Sequence, residues 1–247
     1  MPETVEELVE MFRLRYHTYA AEGMIDWNPE EIDLDYYDQF SYQIALFKKE
    51  HEEDKIIGAV RLIVTDAGPQ YTLVKSLTEQ HPALKKYVTN DHPKAFPTFS
   101  YIPFLSDLQS FYNNHNIGNQ QLLEGSRLCV IKSERVLSLS SFLLQCAICL
   151  STVYLPGYNW IASARATHEA WYNAHGFFKV PGTPYFNYGA VGKACTLNGN
   201  YQQVPQSLKS RLDGLTAQYQ KHGKIYLGHH NREGALPFAQ QNMKLND

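Results

Sequence analysis

Leu122-Leu123-Glu124-Gly125-Ser126-Arg127-Leu128-Cys129-Val130-Ile131 is the stretch on which the reading of this chain turns. Its apolar content predicts a strand over 122–132, and strand side chains alternate between faces. On that period Glu124, Ser126, Leu128 and Val130 share one face. Leu123, Gly125, Arg127, Cys129 and Ile131 share the other. A carboxylate and a guanidinium in an otherwise apolar strand are costly to bury unless they are paired. Two explanations stand at this point: a structural ion pair at a strand end, or a functional site.

Upstream, Thr4 and Glu7 form a capping-box pair, and Leu8, Phe12, Tyr16 and Tyr19 recur at helical spacing toward Gly23. Residues 24–37 read as a loop with five acidic residues between Asp26 and Asp35, a Pro and Trp27. Such a loop is either a solvated connector or a lid. Tyr42–Lys48 and Ile56–Thr65 read as an antiparallel hairpin around the charged turn 49–55. Thr72–Tyr87 reads as helical, 91–103 as irregular and Leu105–Tyr112 as a short helix. Downstream come the apolar helix Phe142–Leu155, a strand over 159–166 and a helix over 167–175 stopped by Gly176. Strands over 177–180 and 185–191 follow, then an amphipathic helix near 206–220. Helices and strands mix without a break, so we expect one α/β domain with its core at about 4–192 and a C-terminal extension over about 203–247.

Composition narrows the class. With 247 residues, 44% hydrophobic, 19% charged and a net charge of -3, the chain can bury a large core and carries no general signature for nucleic acid or an anionic membrane. The N-terminus is acidic and lacks an apolar signal segment, so a cytoplasmic, reducing location is expected for Cys129, Cys146, Cys149 and Cys195. Cys146 and Cys149 lie within an apolar run and read as core packing rather than redox chemistry. The uncharged stretch 136–155 carries five Ser or Thr and Gln145, which favours a buried helix over a stable membrane span. No metal site is expected: there is no His-Glu-x-x-His or four-Cys pattern, and His229-His230 is a lone pair in a polar tail. Gly-x-Ser-x-Gly and Walker motifs are also missing.

Other charges repeat the puzzle of Glu124 and Arg127. Arg61 interrupts the apolar strand 57–64, Asp35 and Asp38 precede the hairpin, and Arg15 sits near the apolar face of the first helix. Arg15, Arg61 and Arg127 with Asp35, Asp38 and Glu124 are expected to form a self-neutralising buried network.

This set, in this order, resembles the autoinducer synthase and N-acyl amino acid synthase branch of the GNAT acyltransferases, including the exosortase-associated group. The matching residues are Arg15, Tyr19, Trp27, the Asp35-Tyr36-Tyr37-Asp38 element, Gly58-Ala59-Val60-Arg61-Leu62 and Glu124-Gly125-Ser126-Arg127-Leu128. Tyr172, four residues before Gly176-Phe177, is similar to the GNAT tyrosine that protonates a departing thiolate. The resemblance implies a GNAT-like, mixed and mostly antiparallel central sheet flanked by helices, with an insert at 72–114. It implies transfer of a fatty acyl group from a thioester carrier to the amine of a small amino-acid-like acceptor.

Within that expectation, Glu124 takes the ammonium proton. Backbone N–H groups where the strand bulges or splays hold the oxyanion. Ser126 orients the acceptor or a water, Arg61 and Arg127 fix the carboxylates or bind the acceptor's carboxylate, and Tyr19 and Trp27 border its pocket. GNAT enzymes that use coenzyme A follow this strand with a Gly-rich phosphate loop. Residues 132–138 here have no Gly and include Glu134, which favours an acyl carrier protein as partner and its acyl-phosphopantetheine thioester as co-substrate, with no tightly bound cofactor. The alternatives are an acyl-homoserine lactone synthase using S-adenosylmethionine and a catalytically silent acyl- or carrier-binding module.

Overall fold

The structure, a computed structural model, describes residues 1–50, 53–65, 70–89, 96–101 and 121–227. The expected helix at 105–112 and the His229-His230 pair lie outside the described residues. The first helix, α1 (Val5–Ala20), begins as the sequence predicts, with the Thr4 hydroxyl accepting from the Glu7 N–H at 3.2 Å. The Glu7 carboxylate accepts from the N–H of Glu3, one residue earlier than a capping box would have it. Leu8, Met11 and Phe12 form its fully buried stripe.

The hairpin is β1 (Ser41–Glu50) with β2 (Glu53–Ile63), and α2 (Tyr71–Gln80) follows. The expected helix over 72–87 breaks at Pro82, which starts a 3₁₀ turn before the short α3 (Lys85–Val88). Proline has no N–H to give to an interior turn and clashes with the preceding one. Inside the stretch expected to be irregular, Pro97–Tyr101 forms the short helix α4. Then come β3 (Leu122–Val130), α5 (Leu137–Tyr154), β4 (Asn159–Arg165), α6 (Glu169–Asn173) and β5 (Phe177–Lys179). The predicted strand 185–191 is only β6 (Phe186–Asn187), ending in a 3₁₀ turn at Gly189–Val191.

A strand that the sequence did not announce, β7 (Lys193–Gly199), lies between β4 and β5, and Ala194 to Leu197 are almost wholly buried. Its Lys-Ala-Cys-Thr-Leu-Asn-Gly composition has little of the branched and aromatic content that marks strands. Pairing on both sides supplies the stability its residues lack. The final helix, α7 (Gln206–His222), buries Leu212 against α5, where the Cys149 thiol lies 3.4 Å from the Leu212 carbonyl.

The sheet order is β1-β2-β3-β4-β7-β5, with β6 also on β7. Every pairing is antiparallel except β3 with β4. Helices α1 and α2 pack on Ile56, Ala59 and Cys129 of one face, and α5 packs on Val60, Leu62, Leu123, Val130 and Trp160 of the other. Gly58 sits where β2 meets β3 and α5: a Cβ there would stand 2.9 Å from the Cys129 carbonyl oxygen. Among the described residues α5 is the one helix long and apolar enough to cross a membrane, yet 56% of that window is buried in the protein. All four cysteines are free and buried, and burial pushes the Cys149 thiol up to about 11. This suits packing, not redox exchange.

The buried β7 carries a test. Leu197→Ala removes side-chain volume from a fully buried site and should cost about 2–5 kcal/mol in denaturant unfolding. Leu137→Ala, at a residue 69% exposed on the first turn of α5, should stay within about 0.5 kcal/mol of wild type.

Candidate active site

The face of β3 is set by a bulge. Its register with β2 shifts by one residue, so that Arg127 and Leu128 together oppose Val60. Arg127 has φ +56°, a left-handed conformation rare outside glycine. Simple alternation placed Arg127 on the face opposite Glu124 and Ser126. The extra residue reverses the phase: Leu123 and Val130 both face α5, while Cys129 packs with α1. The bulge thus turns Arg127 toward the carboxylates of the 24–37 loop.

There it completes a closed ring of alternating charges. Arg15 contacts Asp33 at 2.9 Å and Asp38 at 2.8 Å. Arg61 contacts Asp38 at 2.9 Å and Asp35 at 2.6 Å. Arg127 contacts Asp33 at 2.9 Å and Asp35 at 3.5 Å. Each arginine touches two aspartates and each aspartate two arginines. Side-chain capping of the turn Tyr36–Phe40 holds two of the acids: Asp35 accepts from the Tyr37 N–H, and Asp38 accepts from the Asp35 N–H at 2.8 Å. The Gln43 amide adds a bond to Asp38 at 2.9 Å. Burial alone would raise the Asp38 carboxyl, but Arg15 and Arg61 hold it far below the usual carboxylate range. The Arg127 Nε is close to Asp33 without its N–H aimed at an acceptor, so that pair is an ion contact rather than a hydrogen bond.

Asp33 is the member that the sequence reading missed, and Glu124 is the member it wrongly enrolled. Asp33 was visible as one more acid in the loop; only the loop's path shows which carboxylates turn inward. Glu124 stands outside the ring. It is 3% exposed and accepts from the Thr98 backbone N–H at 2.9 Å. Burial pushes its carboxyl up to about 7, against smaller opposing effects from the Thr98 hydrogen bonds and the Arg61 charge.

Glu124 also marks where the sheet opens. β3 and β4 run parallel for three pairs, 122 with 159, 123 with 160 and 124 with 161, and then separate. A cavity of about 1120 Å³ occupies the opening. That exceeds the roughly 300–1,000 Å³ typical of pockets for drug-sized ligands. Its wall on the α5 side includes Leu144, Ala147 and Ile148 with Trp160, Phe177 and Val60. The other side carries Glu124, Ser126, Arg127, Asp35, Thr98 and Ser163.

The expected site residues therefore divide. Glu124, Ser126, Arg127, Tyr172, Tyr19, Asp35 and Arg61 line the cavity. Ser126 accepts from the Arg61 Nε at 3.0 Å. The Tyr19 hydroxyl donates to the Leu128 carbonyl at 3.2 Å, and Arg127 lies 5.5 Å over the Tyr19 ring. Tyr172 packs against Trp171 and Phe177, and burial pushes its phenol up to about 12. Arg15 and Asp38 are fully buried beneath the wall and act through the ring rather than at its surface. Trp27, expected at the acceptor pocket, is 76% exposed on the surface and does not line the cavity. Its loop turns Asp33 and Asp35 inward instead. Sequence reasoning also missed Thr98, Ser163 and the link that Glu22 makes to Arg135 at 2.5 Å and Arg165 at 3.0 Å. Nothing in a lone Thr or Ser marks it before the chain path is known.

The ring and Glu124 give opposite responses to acid. Asp38→Asn leaves Arg15 and Arg61 short of a buried counter-charge and should cost about 3–5 kcal/mol in chemical unfolding. The depressed Asp38 contributes stability above its ordinary pKa, which is lost as pH falls. Glu124 is raised, so the folded state keeps a proton that the unfolded chain gives up between its ordinary 4.5 and about 7. Its contribution falls as pH rises through that window. Stability curves measured against pH should show Glu124→Gln flattening that decline and leaving the acid limb in place.

Residues 14–92 match the family described as an acetyltransferase (GNAT) domain, a span that holds Arg15, the three aspartates and Arg61. No curated protein matches the chain by sequence. Among solved structures it is similar to FeeM, an N-acyl amino acid synthase from uncultured soil microbes, at 14% identity and TM-score 0.51, covering 81% of this chain and 96% of that one. MesI, a CoA-dependent acyl-homoserine lactone synthase, aligns at 15% identity and TM-score 0.49 over 90% of each chain. An acyl-CoA N-acyltransferase from Pseudomonas aeruginosa aligns at 13% identity and TM-score 0.46, over 79% of this chain and 91% of that one. The acetyltransferase (GNAT) match over residues 14–92 and the fold shared with FeeM give the chain a GNAT-like fold.

Proposed function

We propose that this protein transfers a fatty acyl group from the phosphopantetheine thioester of an acyl carrier protein to the amine of an amino acid, giving an N-acyl amino acid. The observation that carries the reading is Glu124: a carboxyl excluded from a complete ion ring, at the wall of a large cavity, in the strand opening. Attack of an amine on a thioester requires the ammonium to lose its proton first. A carboxyl with a pKa near the working pH is suited to take it and can contribute about 10²–10⁴-fold. The β3 backbone beyond Glu124 no longer pairs with β4, and N–H groups on that edge would hold the developing oxyanion. Tyr172, still protonated at neutral pH, supplies the proton for the departing thiolate.

Two features support a long acyl chain. Leu137, Ser140, Leu144, Ala147, Ile148 and Ser151 line the cavity along one side of α5, a stretch of about 21 Å at 1.5 Å per residue. An acetyl group needs none of that length. On the opposite side, Arg127 makes ion contacts to Asp33 and Asp35 and stays 26% exposed at the cavity wall, where it can pair with an acceptor carboxylate. Support for a carrier protein as donor comes from residues 132–138. They hold a 3₁₀ turn, no glycine, and Glu134, which is engaged by Lys48 at 2.6 Å. FeeM, the similar structure, is itself an N-acyl amino acid synthase.

Mass spectrometry of lipids from cells expressing the chain should show a new long-chain N-acyl amino acid, absent in cells expressing Glu124→Gln. A product that persists in Glu124→Gln removes the proposed base. A lactone derived from S-adenosylmethionine replaces the acceptor assignment. No acylated product with any amino acid points to a silent binding module.

A further inference from the structure

The segment around α4 reaches the cavity from outside the resemblance and has no role in the mechanism above. Thr98, in α4, is 1% exposed. Its backbone N–H donates to the Glu124 Oε2 at 2.9 Å, and its hydroxyl lies 3.1 Å from the Ser163 hydroxyl on β4. Glu124 and Ser163 are on the two strands that separate, and all three residues line the cavity. Thr98 therefore spans the opening: it holds the carboxyl on one strand and the hydroxyl on the other. We infer that Thr98 is the positioning residue of the base, fixing the Glu124 carboxyl toward the cavity through a Ser163–Thr98–Glu124 chain that ties α4 to both strands.

This rests on the reading of Glu124 as the base. The charged groups that face Glu124 are Arg61 from β2 and Asp35 from the turn before β1; α4 and β4 present the two hydroxyls. Arg61 is already committed to Asp35 and Asp38 in the ring. Among the described residues Thr98 is thus the neighbour that bonds Glu124 directly, through its backbone N–H. The Thr98 hydroxyl also lowers the Glu124 pKa, so its removal should make the carboxyl harder to ionise. Ser163 fixes the rotamer of that hydroxyl and should act in the same direction with smaller effect.

Thr98→Val keeps the shape and the backbone N–H but loses the hydroxyl; Thr98→Ser keeps the hydroxyl. The carboxyl band of Glu124, isolated by infrared difference against Glu124→Gln, can be titrated in each variant without substrate. The wild-type midpoint is expected near 7. Thr98→Val should raise it by about one pH unit, the scale of a single hydrogen bond. Ser163→Ala should raise it by less, and Thr98→Ser should return it to the wild-type value. In thiol release from palmitoyl-loaded acyl carrier protein with a mixture of amino acids, Thr98→Val should lose about fivefold in kcat near pH 7. KM for the carrier should stay unchanged, and the loss should shrink as pH rises. An unchanged midpoint in Thr98→Val, or a shifted one that Thr98→Ser fails to restore, overturns the inference. If Thr98→Val does not fold cooperatively, Ser163→Ala decides, and a wild-type midpoint there overturns it. Full activity in Glu124→Gln would instead defeat the base assignment, a result the midpoints do not depend on.

Discussion

A closed ring of three guanidiniums and three carboxylates fixes everything else about this site. Arg15 comes from α1, Arg61 from β2, Arg127 from the β3 bulge, and Asp33, Asp35 and Asp38 from the loop and turn between α1 and β1. Three charges of each sign in alternation leave no net charge to solvate, and each guanidinium fork meets two acids. Burying any one of these groups alone would cost several kcal/mol, so the ring forms as a unit or not at all. It locks the helix, the loop and the two strands into one geometry. It also holds Arg127 in a left-handed backbone conformation that costs about 1–2 kcal/mol when unsupported.

The second consequence is what the ring leaves out. Because the aspartates satisfy the arginines, Glu124 has no ion partner among the described residues. A carboxyl buried in that state meets the full effect of desolvation, which carries it from a solvent-like acid to a group that titrates near neutrality. Two residues further along the same strand, Ser126 is tied to Arg61 and so to the ring. One strand therefore presents a rigid scaffold and an acid outside the ring side by side. Separation of β3 from β4 directly after Glu124 places that acid at a cavity rather than in the core.

Much of this was legible in the sequence, and the failures have definite causes. Polar residues inside apolar strands identified Glu124, Ser126, Arg127 and Arg61, because buried charge is too costly to be incidental. The element order gave the α/β class, the resemblance implied the mixed, mostly antiparallel sheet, and the apolar run at 142–155 gave the helix behind it. The side of Arg127 was misread because one inserted residue reverses a period of two, and no residue type announces a bulge when Arg rather than Gly occupies it. The exchange of Glu124 for Asp33 in the network has a similar origin. Charge counting balances either way, and only the path of an irregular loop decides. Trp27 was placed at the acceptor pocket by the resemblance, and its side chain instead lies on the surface. Strand β7 escaped notice because its neighbours on both sides supply what its composition lacks, and Thr98 because a backbone N–H carries no sequence signal.

The acid at the strand opening and the apolar cavity behind it form one site, and occupancy tests that directly. The measurement is a crystal structure of the chain soaked with a long-chain acyl-phosphopantetheine analogue in which a methylene replaces the thioester sulfur. The account predicts the alkyl chain between the helix Leu137–Tyr154 and the sheet, with the carbonyl at the opening of β3 and β4 beside Glu124 and the six-membered charge ring unchanged. An alkyl chain seated elsewhere, or a Glu124 carboxylate drawn into contact with Arg61 or Arg127, would contradict it.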